Sequence, residues 1–587
     1  MNCMKHNIYN KVMGVAIAAL TLIGCSETWD DHYDASAPGV SNSSLWKAIK
    51  DAPNLKNFAS VVEATGYDQQ LNSTQVFTVF APTDDKFTQA QAQALINTYQ
   101  TEKASGVRDE QNSVIKEFVK NHIALFNYSV SEGRSDSVMM LNGKPQLLTD
   151  KQFGGVDQTT TNALYENGVL FTVDGVVPYF PNVFEYLAKD ADLDSVKNFF
   201  YNKNYFYYEI FNANKSVPGE VIDGQTHYLD SIYDLNNLLF YGRSFINAEL
   251  NAEDSTYWMV VPTNATFDAL LTKYGSYFNY DDKILNDLKP ATRRSLDSLR
   301  YTNPRLAIMQ GTVFSRTTNS DKALNDSAMS TNACPFNYRY SYWGADTLHY
   351  YQYYNPKAAG GVFGGTTNVA CSNGQVMKAT TWNVKPSETF MRDIIIESES
   401  SKAVDSLKKF KNKKGELEDV CSYRYRYVDN GNPFANYVSN RGYLELKPKT
   451  GQTVSVTFNL PYVLSNVPYD IYVRTAPALA GEIGNDTTVS DKERAPMKFR
   501  CQLSWRKADG TTMLEPFTAD IMTTRDAVDE ILVKAGHQFE VCTYGVDEAD
   551  CQGKLTIESR ARTTEVEEGT ATDVLRIDCI LLKPREE

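Results

Sequence analysis

Side chains able to do covalent or acid–base chemistry are plentiful in this 587-residue chain, but they do not fall into a working pattern. His6, His32, His122, His227, His349 and His537 are scattered, and the nine cysteines include no C-x-x-C pair, so neither a structural nor a catalytic zinc site is expected. The chain lacks G-x-S-x-G, H-E-x-x-H, G-x-x-x-x-G-K and G-x-G-x-x-G, the spacings that place a nucleophile, a metal or a phosphate. Its 72 acidic residues leave a glycosidase-like carboxylate pair open, yet the residues favour a chain that binds rather than reacts, with no cofactor and no metal.

The residues suited to recognisable contacts are aromatic. In YRYSYWGADTLHYYQYYNP (Tyr338 to Pro356), Tyr338, Tyr340, Tyr342 and Trp343 precede Gly344-Ala345-Asp346, and Tyr350, Tyr351, Tyr353 and Tyr354 follow it. Alternation on both sides of a turn predicts a β-hairpin with one aromatic face. Such a face stacks on the C–H surfaces of sugar rings, which makes these eight residues the candidate glycan contact; the alternative is that the rings cover a core or seal an interface. YNKNYFYYEI (Tyr201 to Ile210) carries the same ambiguity.

The elements that must position these residues are modular. The length is too great for one core, and 42% hydrophobic with 22% charged residues is ordinary for folded, soluble modules. A net charge of −14 argues against nucleic acid as a partner. Lys5 and Lys11 precede the apolar run Val12 to Ile23, which is too short to span a bilayer and reads as a secretory signal. Its end, Leu22-Ile23-Gly24-Cys25, resembles a bacterial lipobox, which implies a signal peptide over 1–24 and a lipid on Cys25. Residues 25–40 then form a tether whose acidic start, Ser26 to Asp31, resembles an export signal to the outer face of the outer membrane. With Cys3 removed and Cys25 acylated, seven cysteines remain, so at least one is unpaired.

One design occurs twice. VFTVFAPTDDKF (Val76 to Phe87) is matched by YWMVVPTNATF (Tyr257 to Phe267): an apolar strand, a proline that ends it, Thr83 or Thr263 as N-cap of a following helix, and Phe87 or Phe267 stapled back on the proline. The first copy resembles the opening signature of the fasciclin-like domain. Asn167-Gly168-Val169-Leu170-Phe171-Thr172-Val173-Asp174-Gly175-Val176-Val177-Pro178 resembles its closing signature, and Leu141-Asn142-Gly143 a further turn of that family. The resemblance implies one fasciclin-like α/β domain over 41–181, and a divergent second one with an insertion over 182–395, closed by Asn373-Gly374. A Tyr-His pair tied to receptor binding in adhesive relatives has Asn121-His122 and Met309-Gln310 in its place, so that activity is not carried over, and His122 is expected to pack inside its own domain.

Beyond a charged linker near Ser398, short alternating strands such as Tyr423 to Tyr427, Tyr443 to Leu446, Val454 to Phe458 and Tyr469 to Val473 predict an antiparallel sandwich over 396–587. Its last strand, Leu575 to Pro584, is similar to that of galactose-binding-like jelly rolls. The expected class is therefore α+β multidomain: two fasciclin-like domains followed by an all-β jelly-roll-like sandwich. The layout resembles accessory surface lipoproteins of Gram-negative gut anaerobes. It implies glycan capture beside a TonB-dependent transporter and its capping lipoprotein, with adhesion to matrix proteins or neighbouring cells as the alternative.

Overall fold

Where a strand is buried on both faces its sequence is continuously apolar, and where one face is wet it alternates. The computed structural model describes residues 41–214, 216–241, 245–280, 290–320, 323–333, 339–340, 350–400, 402–481, 489–546 and 551–585. The signal peptide, Cys25, the tether, Cys334, Tyr338, Tyr342 and Trp343 lie outside them. Two compact units divide the chain: Met1–Phe180 with Glu209–Asp234, and Pro181–Tyr208 with Leu235–Glu587.

In the first unit β1 (Phe77–Pro82) and β7 (Gly168–Val173) are fully buried and pair in parallel at the centre of a seven-stranded sheet. The sheet runs β2-β1-β7-β6-β5-β4-β3, with β2 Ile123–Leu125, β3 Ser135–Met139, β4 Pro145–Thr149, β5 Gln152–Phe153 and β6 Val156–Tyr165. Phe77, Val79 and Ala81 face a helical core, whereas Phe80 points to the opposite face and stacks on Phe153 with centroids 3.5 Å apart.

Asn167 holds the parallel pair in place. Its Oδ1 accepts the Leu45 N–H at 2.8 Å, and its Nδ2 donates to the Leu71 and Ser73 carbonyls at 2.9 and 2.8 Å. The next residue must be glycine, because a Cβ on Gly168, at φ 148°, would overlap the Phe77 carbonyl oxygen.

The second unit repeats this arrangement. There β8 (Tyr257–Pro262) pairs in parallel with β14 (Gly374–Ala379), in a sheet ordered β9-β8-β14-β13, with β9 Val313–Ser315 and β13 Thr367–Cys371. Asn373 Oδ1 accepts the Val183 N–H at 2.8 Å and its Nδ2 donates to the Leu250 and Ala252 carbonyls at 2.9 and 2.8 Å. The Asn373-Gly374 reading therefore marks an equivalent joint.

The threonine corner departs from expectation. Thr263 does precede a helix, Asn264–Gly275, but Thr83 opens a turn, and the helix Gln89–Ala104 is capped instead by Thr88 in a capping box. Asp84 and Asn264 share a different task. Asp84 accepts the Lys56 and Asn57 N–H groups at the start of Lys56–Ala64, and Asn264 accepts the Ser195 N–H at the start of Asp194–Phe200, so each caps an earlier helix from across the corner.

Among the described residues, the two arms of the expected hairpin pair with other strands. Arg339–Tyr340 (β11) pairs in parallel with Ile394–Glu397 (β15), whereas Tyr350–Tyr354 (β12) pairs antiparallel with Ser327–Ala333 (β10). The charged run after Ser398 is no linker either: Ser398 and Ser400 are buried, and Val404–Leu407 (β16) is already a sandwich strand.

The sandwich consists of two sheets. In the first, β26 (Leu575–Pro584) is central: one edge pairs with β20 (Pro468–Thr475) and through it β24 (Asp529–Gln538), and the other is shared by β15 and by β18 (Gly442–Pro448), which in turn pairs with β17 (Cys421–Tyr427). The second sheet runs β16-β19-β25-β21-β22, with β19 Ser455–Leu460, β21 Lys498–Arg506, β22 Thr512–Leu514 and β25 Gly553–Ser559, and Ile521–Met522 (β23) also pairs β21. Leu444, Leu446, Ile471, Val473 and Ile577 meet Val456, Phe458, Phe499, Leu503, Leu555 and Ile557 in the core between them. β15, from Ile394, is thus already part of the sandwich, whose first sheet also takes in β11.

His122 is fully buried, as expected for a residue that packs within its own domain. One ring nitrogen lies 2.7 Å from the Phe118 carbonyl, and Nε2 accepts the Val177 N–H at 3.1 Å. Strand register aligns Asn121-His122 with Gly311-Thr312 rather than with Met309-Gln310, since Phe80 N–H bonds the His122 carbonyl and Val260 N–H the Thr312 carbonyl. Burial pushes the His122 pKa from 6.5 down to about 4. Below pH 6.5 the unfolded chain takes a proton that the folded ring refuses, so stability is lost as pH falls from 6.5 through 4, on the order of 3 kcal/mol in all. Hydrogen-exchange protection of β1 and β7 should fall across that window, and His122→Gln should flatten the fall; an equally steep fall in the variant contradicts the assignment.

Candidate ligand cleft and cation site

Residues opposite one another across an antiparallel ladder share a face. Leu444 and Leu446 of β18 point into the sandwich core, so Tyr443, Glu445 and Lys447 point outward. Opposite them on β17 stand Arg426, Arg424 and Ser422, and opposite Glu445 on β26 stands Arg576. Residues from Ala478–Gly481, 489–493 and 566–574 line the same face and enclose a cleft of about 490 Å³, within the range of small-ligand sites.

The cleft is polar and densely charged. Glu445 sits between two guanidiniums, with Arg426 Nη2 at 3.0 Å from Oε1 and Arg576 Nε at 3.2 Å from Oε2. Arg576 is only 7% exposed in its side chain, and this pairing is what makes its burial tolerable. Glu493 accepts the Ser490 N–H and hydroxyl, both at 3.0 Å. Those bonds first, and then Arg576 and Lys447, hold its carboxyl below the usual carboxylate range.

Among the described residues, the aromatic residues singled out from sequence do not share one face. Tyr351 and Tyr353 are buried at 3% and 4% in a core with Phe314 and Phe363, while Tyr350 and Tyr354, on the other face of β12, are 38% and 72% exposed. Tyr340 belongs to β11, in the sandwich sheet. Period two was read correctly as strand, but one face of that strand is structural. The cleft residues carried a comparable signal in Tyr423-Arg424-Tyr425-Arg426-Tyr427, whose alternation puts the arginines on one face and exposed tyrosines on the other.

A second polar group lies at the seam of the same sheet. β26 pairs with β18 as far as Ile577 and with β15 from Cys579 onward; on the opposite edge Thr475 faces Ile577 and Arg474 faces Cys579. Asp578 is therefore the extra residue of a bulge, a feature that re-aims a side chain. Its carboxylate accepts the Ser439 N–H at 3.0 Å, the Ser439 hydroxyl donates to Glu397 at 2.8 Å, and Asn440 donates to Glu399 at 3.2 Å.

Glu397, Glu399 and Asp578 are all 0% exposed. Burial above all, with Glu397 and Glu399 adding, raises the Asp578 pKa well above the usual range. Three carboxylates taken out of water cost several kcal/mol each unless protons or a cation compensate. The nearby Arg474 is committed to Glu530 at 2.6 Å. Ligand atoms of Glu397, Asp578 and Cys579 lie within 4.8 Å of one another, but burial keeps Cys579 a thiol, so the donors are oxygens and suit a hard cation of the calcium class rather than zinc. The sequence reading, which expects no metal, did not single out this set because its members come from distant strands with no ligand spacing.

Comparison with known proteins gives a family for part of the chain: residues 53–178 match the fasciclin domain. No curated protein matches it. Among solved structures, a fasciclin-domain pair from the insect cell adhesion molecule fasciclin I is 13% identical over 57% of this chain and 97% of that one, with a TM-score of 0.16. The CBM22-1 xylan-binding domain of Paenibacillus barcinonensis Xyn10C is 15% identical over 32% of this chain and 99% of that one, with a TM-score of 0.17. The CBM22-1–GH10 part of Clostridium thermocellum xylanase 10B, complexed with xylohexaose, is 12% identical over 28% of this chain, at a TM-score of 0.18, and only 25% of that chain is covered. Scores this low carry no argument about fold or function.

The cation site can be tested without any ligand. After chelation, millimolar calcium should raise the melting temperature of the sandwich by several degrees, as binding to the folded state alone requires, and Asp578→Asn should remove the response. An unchanged melting temperature in the native chain would contradict it.

Proposed function

We propose that the protein is a non-catalytic binding protein of the cell surface that captures glycan through the cleft of β17, β18 and β26. In this reading acyl chains on Cys25 anchor it in the outer membrane, and it serves as an accessory to a TonB-dependent transporter and its capping lipoprotein. The observation that carries the reading is the cleft itself: a polar concavity of about 490 Å³ floored by Tyr443 and lined by guanidinium, ammonium, carboxylate and hydroxyl groups, the mixture that hydrogen-bonds sugar hydroxyls. One of its acids is poorly placed to deliver a proton: hydrogen bonds from Ser490 hold the Glu493 carboxyl below its usual range, whereas glycoside hydrolysis needs a carboxylic acid whose pKa is raised.

Adhesion is the second reading, supported by the fasciclin match over 53–178. Against a receptor contact at Asn121-His122 stands their burial, with both side chains engaged inside the fold. Retention of the purified chain on immobilised host and plant polysaccharides tests the first reading. Binding is expected to at least one glycan, to be blocked by Ser422→Trp at the cleft rim, and to persist in Tyr350→Ala/Tyr354→Ala; retention on none of them, with attachment to matrix proteins instead, favours adhesion. For the anchor, labelled palmitate should enter the chain and Cys25→Ala should prevent it, releasing the protein from membranes.

A further inference from the structure

We infer that the ligand of this cleft carries an oxyanion, a carboxylate or sulfate borne on a sugar; the inference rests on the glycan reading and narrows it. The chain as a whole is strongly acidic, at −14, yet among the described residues the cleft gathers Arg424, Arg426, Lys447, Lys492 and Arg576 against Glu445, Glu493 and Asp573. A local reversal of sign against the field of the whole molecule concentrates small anions at one place.

The distribution of partners sharpens the argument. Arg426 and Arg576 are neutralised in part by sharing Glu445. Arg424, Lys447 and Lys492 line the cleft without an ion pair among the described residues. Arg424 and Arg576 flank Glu445 across three adjacent strands, and Ser422, opposite Lys447, continues the same face. A guanidinium offers a planar pair of donors matched to a carboxylate or sulfate, and an ammonium adds a point charge beside it. A neutral glycan needs neither, and three cations without an ion pair among the described residues, beside a buried guanidinium, are poor surroundings for apolar sugar faces alone.

The overall negative charge also limits the ligand. A dense polyanion such as nucleic acid would be repelled along most of the surface. A chain with one acid group per sugar, or fewer, can place an anion in the cleft and run its neutral portions outward. The chemistry shared by uronic-acid and sulfated sugars is what the residues recognise, and the test separates the two.

Calorimetric titration of the purified mature chain with galacturonic-acid oligosaccharides, sulfated galactose oligosaccharides and their neutral counterparts is the measurement. Acidic ligands of one or both kinds should bind about tenfold or more tightly than neutral ones, and the preference should fade at about 1 M salt, where screening acts within about 3 Å. Arg424→Gln/Lys447→Gln, both on the exposed rim, should abolish the preference without lowering the melting temperature; the kind of acidic ligand bound identifies carboxylate or sulfate as the source. Equal binding of neutral and acidic oligosaccharides, or a preference that survives the double substitution, overturns the anion inference and leaves glycan capture standing. If no oligosaccharide binds, while a phosphopeptide does so through the same arginine and lysine, the glycan reading itself falls.

Discussion

A strand buried on both faces must find a partner for every polar group it carries, and Leu575–Pro584 is where that constraint bears hardest. Eight of its ten residues are buried, and two of those eight, Arg576 and Asp578, carry ionisable side chains. Arg576 is answered by Glu445 across one ladder, which organises the cleft. Asp578 is answered by Ser439, at the gap where β18 gives way to β15, which organises the carboxylate group. A single bulge separates the two neighbourhoods, so the polar cleft and the buried carboxylate group are both consequences of how one strand pairs.

The same logic of satisfied backbone explains the duplicated half of the molecule. Asn167 and Asn373 each tie a helix start and two loop carbonyls to a central parallel strand, and the glycine after each allows the neighbouring carbonyl to approach. The copies diverge at buried positions too. His122 and Thr312 occupy one register position, both fully buried, but only the histidine spans to the Val177 amide. The threonine corner likewise survives as a strand end, while the cap beyond it differs between copies.

Much of this organisation was legible. Period two identified β12, β17, β18 and β20, and continuous apolar runs identified β1 and β8, because burial on one face or two leaves a local mark; their parallel partners were marked only by the resemblance at Asn167-Gly168 and Asn373-Gly374. The tyrosine run 350–354 shows the limit: alternation reveals that two faces exist, not which one meets a core. The residues after Ser398 show another, since a charge-rich stretch reads as linker unless the opposite face is known to pack. The carboxylates at 397, 399 and 578 left no mark at all.

By itself, then, the sequence determined the elements, the repeated joint, the expectation of a lipid-bearing Cys25 and the absence of familiar catalytic spacings, all of which depend on residues close together in the chain. Tertiary structure alone decided that Tyr351 and Tyr353 are core, that Arg424, Glu445 and Arg576 stand side by side, and that three acids share a dry seam. Those outcomes depend on strand order and register, which bring residues more than a hundred positions apart to one face, and a bulge of one residue is enough to send a side chain to a different site.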